Sequence, residues 1–181
     1  MRRGLRLADV GDGDQAAHLR PTSDRVREAI FNLLINGGHD DPVTDARVLD
    51  LFAGTGALAL EALSRGAAEV CFVDNGAKAC ELIRTNVAKM RAEANTRLVR
   101  QDATRLGENP AKPYTLIFLD PPYAKALGET ALAAATKGGW IAPGAMIVWE
   151  ESTSPVPPPG FAQVDQRRYG DTLVTLLRVA L

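Results

Sequence analysis

From Asp24 the apolar positions Val26, Ala29, Ile30, Leu33 and Leu34 recur every three to four residues, the spacing of one helix face. Thr22 or Ser23 supplies a capping hydroxyl ahead of them and Asp24 an acid in the first turn, so the stretch predicts an amphipathic helix. Beyond a loop rich in Gly, Asp and Pro (36–45), the pattern changes to short, continuous apolar runs. These predict strands near 47–51, 69–74, 97–101, 114–119 and 145–150, with helices near 56–65, 77–93 and 125–136 between them. Leu58, Leu60, Ala62 and Leu63 form the apolar side of the first of these helices, and Gly66 marks its stop. Strand alternating with helix implies an α/β domain with a mostly parallel, doubly wound sheet. The proline-rich Ser152–Gly160 reads as an extended surface connection. After it, 161–168 and 172–180, joined at Tyr169-Gly170-Asp171, predict a hairpin that gives the sheet an antiparallel edge and seven strands in all. Residues 1–19, polar and punctuated by glycine, read as an N-terminal arm of the same single domain, 1–181.

Composition narrows this picture in three ways. A chain of 181 residues is long enough for one core without staples. Cys71 and Cys80 form no C-x-x-C, and His18 and His39 lie far from them, so no metal site is readable; Cys71 is expected as a buried small hydrophobe in a strand and Cys80 as a helix-face residue. No apolar run approaches the roughly 20 residues of a membrane span, and no h-region follows Met1-Arg2-Arg3, which leads us to expect a reduced, cytoplasmic, monomeric protein. Net charge is only −1, but it is unevenly placed: residues 36–80 carry seven acids and three bases, whereas 81–112 carry seven bases (Arg84, Lys89, Arg91, Arg97, Arg100, Arg105, Lys112) and four acids. That segment reads either as a solvated face or as an RNA contact.

The chemistry starts at Val48-Leu49-Asp50-Leu51-Phe52-Ala53-Gly54-Thr55-Gly56-Ala57-Leu58, a strand that turns through two glycines into a helix and so forms a crevice for a nucleotide-like cofactor. Gly54 to Ala59 also fits G-x-G-x-x-G/A, so this stretch alone does not separate a nicotinamide dehydrogenase from an S-adenosylmethionine (SAM) methyltransferase. Asp50 at the strand end suits a cation and would repel a pyrophosphate. Asp74, ending the next strand, stands where an acid meets ribose hydroxyls, and Asp102, after the third, where one can accept from an adenine amino group; either acid can equally cap a helix. The strand Leu116–Leu119 delivers Asp120-Pro121-Pro122-Tyr123 to the same sheet edge. Two prolines stiffen that loop, so the Asp120 carboxylate and Pro121 carbonyl are fixed acceptors suited to an exocyclic amine, with Tyr123 placed to stack on its ring.

Three blocks give the chain a resemblance: Arg20–Glu28, then Asp50–Leu58 with Glu61–Ala67, and Asp120–Tyr123, to which Arg168–Thr172 adds an ending. Together they resemble the bacterial 16S rRNA guanine-N2 methyltransferase family of the class I SAM-dependent superfamily. The resemblance implies a Rossmann-like class I methyltransferase fold, SAM as cofactor, and methyl transfer to a guanine N2 of 16S rRNA on an assembled or partly assembled small ribosomal subunit. It places Asp50, Phe52, Gly54, Gly56, Asp74 and Asp102 at SAM, Asp120, Pro121, Pro122 and Tyr123 at the reacting base, and Arg20, Arg25 and Tyr123 on the RNA. Methyltransferases of other amine acceptors, DNA adenine or protein glutamine, use the same Asp-Pro-Pro-Tyr block, and a non-catalytic SAM- or RNA-binding module is the alternative of another class.

Overall fold

The computed structural model describes Leu7, residues 22–123 and residues 126–181. The predicted N-terminal arm, apart from Leu7, and Arg20 lie outside the described residues. Helix α1 (Asp24–Asn36) begins where the Ser23 hydroxyl accepts the Val26 N–H at 3.3 Å. Its face buries Ile30, Phe31 and Leu34 completely, roughly 1.5–3 kcal/mol for each side chain. Alternating elements follow: β1 (Arg47–Leu51), α2 (Ala57–Ser64), β2 (Glu69–Asp74), α3 (Ala77–Met90), β3 (Thr96–Arg100), β4 (Tyr114–Leu119), α4 (Leu127–Lys137) and β5 (Ile141–Glu151). The hairpin β6 (Phe161–Tyr169) and β7 (Thr172–Val179) completes the chain.

The seven strands are ordered β3-β2-β1-β4-β5-β7-β6. Strands β1 to β5 are parallel, whereas β7 pairs antiparallel with β5 and β6 antiparallel with β7. The last strand in sequence therefore enters the sheet inside its partner β6, an order that no local pattern encodes. Side-chain alternation divides the core in two. Val48, Phe72, Phe118 and Val148 pack with α1, α2 and α3 on one face. Leu49, Leu51, Ile117, Leu119, Ile147 and Trp149 pack with α4 on the other. A parallel sheet covered on both faces explains why its strands read as continuous apolar runs rather than as alternation.

β5 starts at Ile141 rather than near 145, because Pro143 and Gly144 (φ 72°) are taken into a strand whose register shifts between Tyr114 and Leu116. Cys80, expected on a helix face, is buried with Cys71; both thiols are free. The chain order reverses between β1 and β4, so the carboxyl ends of these two strands flank the crevice where α/β sheets bind ligands.

Candidate active site

Between β1 and α2 the backbone takes positive φ at Phe52 (59°), Gly54 (58°) and Gly56 (76°). Left-handed backbone at a non-glycine residue such as Phe52 stores strain that its surroundings must hold. At Gly56 a side chain is excluded twice, by its φ and because a Cβ would stand 2.9 Å from the Phe72 ring. Four bonds tie the loop down: Ala53 N–H to the Val73 carbonyl (3.1 Å), Gly56 N–H to the Ala53 carbonyl (2.8 Å), Gly54 N–H to Asp74 Oδ2 (2.9 Å), and the Asn86 side-chain amide to the Thr55 carbonyl (3.0 Å). Asn86, fully buried on α3, went unread in the sequence because nothing local distinguishes it from an exposed helix polar residue.

The other oxygen of Asp74, Oδ1, accepts the Gly76 N–H at 2.8 Å ahead of α3. One carboxylate thus bridges the glycine loop and the start of a helix, so the capping and site roles weighed for Asp74 are not exclusive. Each oxygen keeps a second lone pair for a guest hydroxyl. Asp102 caps the 3-10 turn Ala103–Arg105, its Oδ1 accepting both the Thr104 N–H (2.9 Å) and the Thr104 hydroxyl (2.7 Å). Those bonds, the hydroxyl first, hold its carboxyl below the ordinary range.

Asp50 is buried, and its Oδ2 has no hydrogen-bond partner. Burial, then the charge of Asp120, pushes its carboxyl well above the usual range, only partly offset by the Ala59 backbone N–H; Asp74 adds a smaller push. A buried carboxyl in this state is the natural seat for a cation that would restore its charge. Asp120, half-buried at the end of β4, shares one cleft with Asp50, Phe52, Ala53, Thr55, Ala57, Leu58 and Thr22. Sequence blocks separated by about 65 residues, the glycine loop and the Asp-Pro-Pro-Tyr segment, therefore meet, and Thr22 joins them.

Pro121 is buried; Pro122 and Tyr123 are half-buried. The Tyr123 hydroxyl lies 3.4 Å from the hydroxyl of Thr172, which opens β7, so the C-terminal hairpin props the segment from the far side. Arg25 is exposed in the first turn of α1, whereas Arg27 is committed to Asp24 (2.7 Å) and Glu61 (3.9 Å). All seven bases of residues 81–112 are exposed, and none is ion-paired among the described residues. Arg84 and Lys89 lie on α3 with Arg91 at its end, and Arg97 and Arg100 on the edge strand β3. Glu150, at the end of β5, is a buried carboxyl beside Asp120 and Asp50 that the sequence concealed in an apolar strand. Among the described residues no group of three or more His, Cys, Asp or Glu side chains can hold a metal ion, and no helix is long and apolar enough to cross a membrane.

The family model described as "Conserved hypothetical protein 95" matches residues 8–178. The "Ribosomal RNA small subunit methyltransferase D" of Escherichia coli K12 is 38% identical over 132 residues, which cover 73% of this chain and 64% of that protein, so the chain spans less than two thirds of its length. The protein of the same name from Haemophilus influenzae is 32% identical over 135 residues, 73% of this chain and 67% of its own. Among solved structures, the "Putative methyltransferase yhhF" of Escherichia coli superposes with a TM-score of 0.75 at 32% identity, covering 90% of this chain and 88% of its own. The N-methyltransferase NodS of Bradyrhizobium japonicum, solved with S-adenosyl-L-homocysteine (SAH), has a TM-score of 0.62 at 13% identity over 86% of each chain, a likeness of fold alone.

Proposed function

The chain belongs to the Conserved hypothetical protein 95 family, and from that premise we propose that it is a SAM-dependent methyltransferase acting on the exocyclic N2 of a guanine in 16S rRNA. One observation carries the reading: the Asp50 and Asp120 carboxyls line a single cleft beside the glycine loop. The first suits a cationic cofactor and the second an amine acceptor. The relatives named as small-subunit rRNA methyltransferases supply the substrate class.

The residues fit SAM. Asp50, with its unpartnered Oδ2, would hold a positively charged group, Asp74 the ribose hydroxyls and Asp102 the adenine amino group, while Phe52, Gly54 and Gly56 shape the loop against it. Bound there, the cofactor supplies a methyl group on a sulfonium. The same acids disfavour a dinucleotide, because its pyrophosphate would face Asp50 and Asp120 across the cleft.

An exocyclic guanine nitrogen is a poor nucleophile because its lone pair is delocalised into the ring. Asp120 and the Pro121 carbonyl would accept its two N–H protons, turning the nitrogen toward tetrahedral geometry and aiming its lone pair at the cofactor. Pro121 and Pro122 keep that acceptor pair rigid, and Tyr123, steadied by Thr172, would stack on the extruded base. Arg25, Arg20 and the exposed bases around α3 and β3 would grip phosphates, so that selectivity comes from RNA presented in shape on a small ribosomal subunit.

The test is methyl incorporation from labelled SAM by the native protein and by Asp120→Ala, offered small subunits and short oligonucleotides. Labelling of subunits by the native protein alone is the expected result. Background labelling by both proteins on every substrate would instead favour a binding module that has lost turnover.

A further inference from the structure

We propose that Glu150 is a positioning residue of the methyl-transfer site, a neutral carboxylic acid on β5 that acts through the Asp120 carboxylate of the neighbouring strand. The proposal rests on the role given to Asp120 above.

β4 and β5 run parallel, with Phe118 opposite Val148 and Leu119 opposite Trp149, so that register, carried one residue past the end of β4, brings Asp120 beside Glu150, and the Asp120 charge acts on it. Phe118 and Val148 face α1 to α3, and by alternation Asp120 and Glu150 share that face. So does Asp50, whose register partner on β4 is Phe118. Three carboxyls from three adjacent strands thus converge on one side of the sheet.

Like Asp50, Glu150 is enclosed by strands on both sides, with β4 on one and Val174 of β7 opposite it on the other. It is 3% exposed, and its Oε1 is sealed from solvent without a partner. The charges acting on it, Asp120 and Asp50, are both negative, and with burial they push its carboxyl well above the ordinary range. The neighbouring Glu151 is occupied with Ser152. Arg27, on the helix that covers this face, is held by Asp24 and Glu61.

An ionised Glu150 would forfeit its hydration for nothing and add a like charge beside Asp120. Of the two, the half-buried Asp120 is the better solvated and keeps the charge. The neutral acid carries one O–H, and an O–H to carboxylate bond is of the short, charge-assisted kind. Donated to Asp120 when a guest amine is seated, it fixes that carboxylate from behind and leaves its outward lone pairs to the amine.

The test uses the full-length wild type, Glu150→Gln and Glu150→Ala. A group neutral in the fold and ionised when unfolded binds one more proton in the folded state, so the stability of the wild type falls as pH rises above the ordinary glutamic acid range. Glu150→Gln escapes this loss. Its Tm should therefore climb relative to wild type from pH 5 to pH 8, and unfolding of wild type at pH 7 should release one proton more than unfolding of Glu150→Gln. Asp50 titrates alike in both and cancels.

In turnover, Glu150→Ala should lower kcat about tenfold, the worth of a hydrogen bond to a charged group, with SAH affinity kept within about twofold. Glu150→Gln, which retains a donor, should recover most of that loss. A Tm difference that is flat between pH 5 and pH 8 overturns the proposal, as does a Glu150→Gln enzyme no faster than Glu150→Ala. A wild type that methylates nothing overturns the functional reading instead, while the Tm series still reports the state of Glu150.

Discussion

Replacing Asp74 tests the glycine loop most sharply, because one carboxylate accepts two backbone N–H groups, Gly54 at 2.9 Å and Gly76 at 2.8 Å. A hydrogen bond to a charged group is worth about 1.5–3 kcal/mol. Both bonds together give an upper figure of about 3–6 kcal/mol, and the partial exposure of Asp74 brings Asp74→Ala to about 3 kcal/mol. Asp74→Asn keeps one acceptor oxygen but turns an amide N–H₂ toward the second backbone donor, so it should cost about 2 kcal/mol. For a domain of this size these costs lower Tm by roughly 6–12 °C and 4–8 °C respectively. Differential scanning calorimetry of the three proteins, with isothermal titration of SAH, reads both consequences. Affinity should fall in both variants, since the loop loses its anchor and the ribose an acceptor. An Asp74→Ala protein melting within about 2 °C of wild type would refute the view that this carboxylate holds the loop.

Asp50 should make SAH binding sensitive to pH. Its carboxyl is pushed well above the ordinary range, and a cation at Oδ2 would pull it back, so binding should release a proton and strengthen as pH rises toward the raised value. Titrations in buffers of differing ionisation enthalpy measure that proton, and Asp50→Asn should abolish it. Gly56→Ala forces a Cβ to within 2.9 Å of the Phe72 ring at φ 76°, and denaturant melts should show a loss of at least about 1–2 kcal/mol. Neutralising Arg84, Arg97 and Arg100 together should flatten the salt dependence of binding to small-subunit RNA by up to about three units of slope and leave SAH affinity intact.

The parts of this molecule that were legible in its sequence are those specified locally. Strands β1, β2 and β4 lie where their apolar runs place them, and α1 starts at the hydroxyl offered by Ser23. The glycine loop and the Asp-Pro-Pro-Tyr segment announce themselves because each needs rare residues in a fixed order. What stayed hidden depends on partners distant in the chain. The insertion of β7 between β5 and β6, the Thr172 hydroxyl beside Tyr123 and the hold of Asn86 on Thr55 all join residues 31 or more positions apart, or follow from strand order alone. Glu150 escaped notice for a different reason: a single acid ending an apolar run reads as the edge of a strand, and only the pairing of β4 with β5 brings it within reach of the Asp120 charge.

The central claim is methylation of a guanine N2 in small-subunit rRNA, and mass-spectrometric mapping of that RNA tests it most directly. Subunits from a strain without this gene should lack one N2-methylguanine, which the wild-type gene restores and an Asp120→Ala gene does not. Persistence of every rRNA guanine modification, with loss instead of a DNA adenine or protein glutamine mark, would contradict the claim.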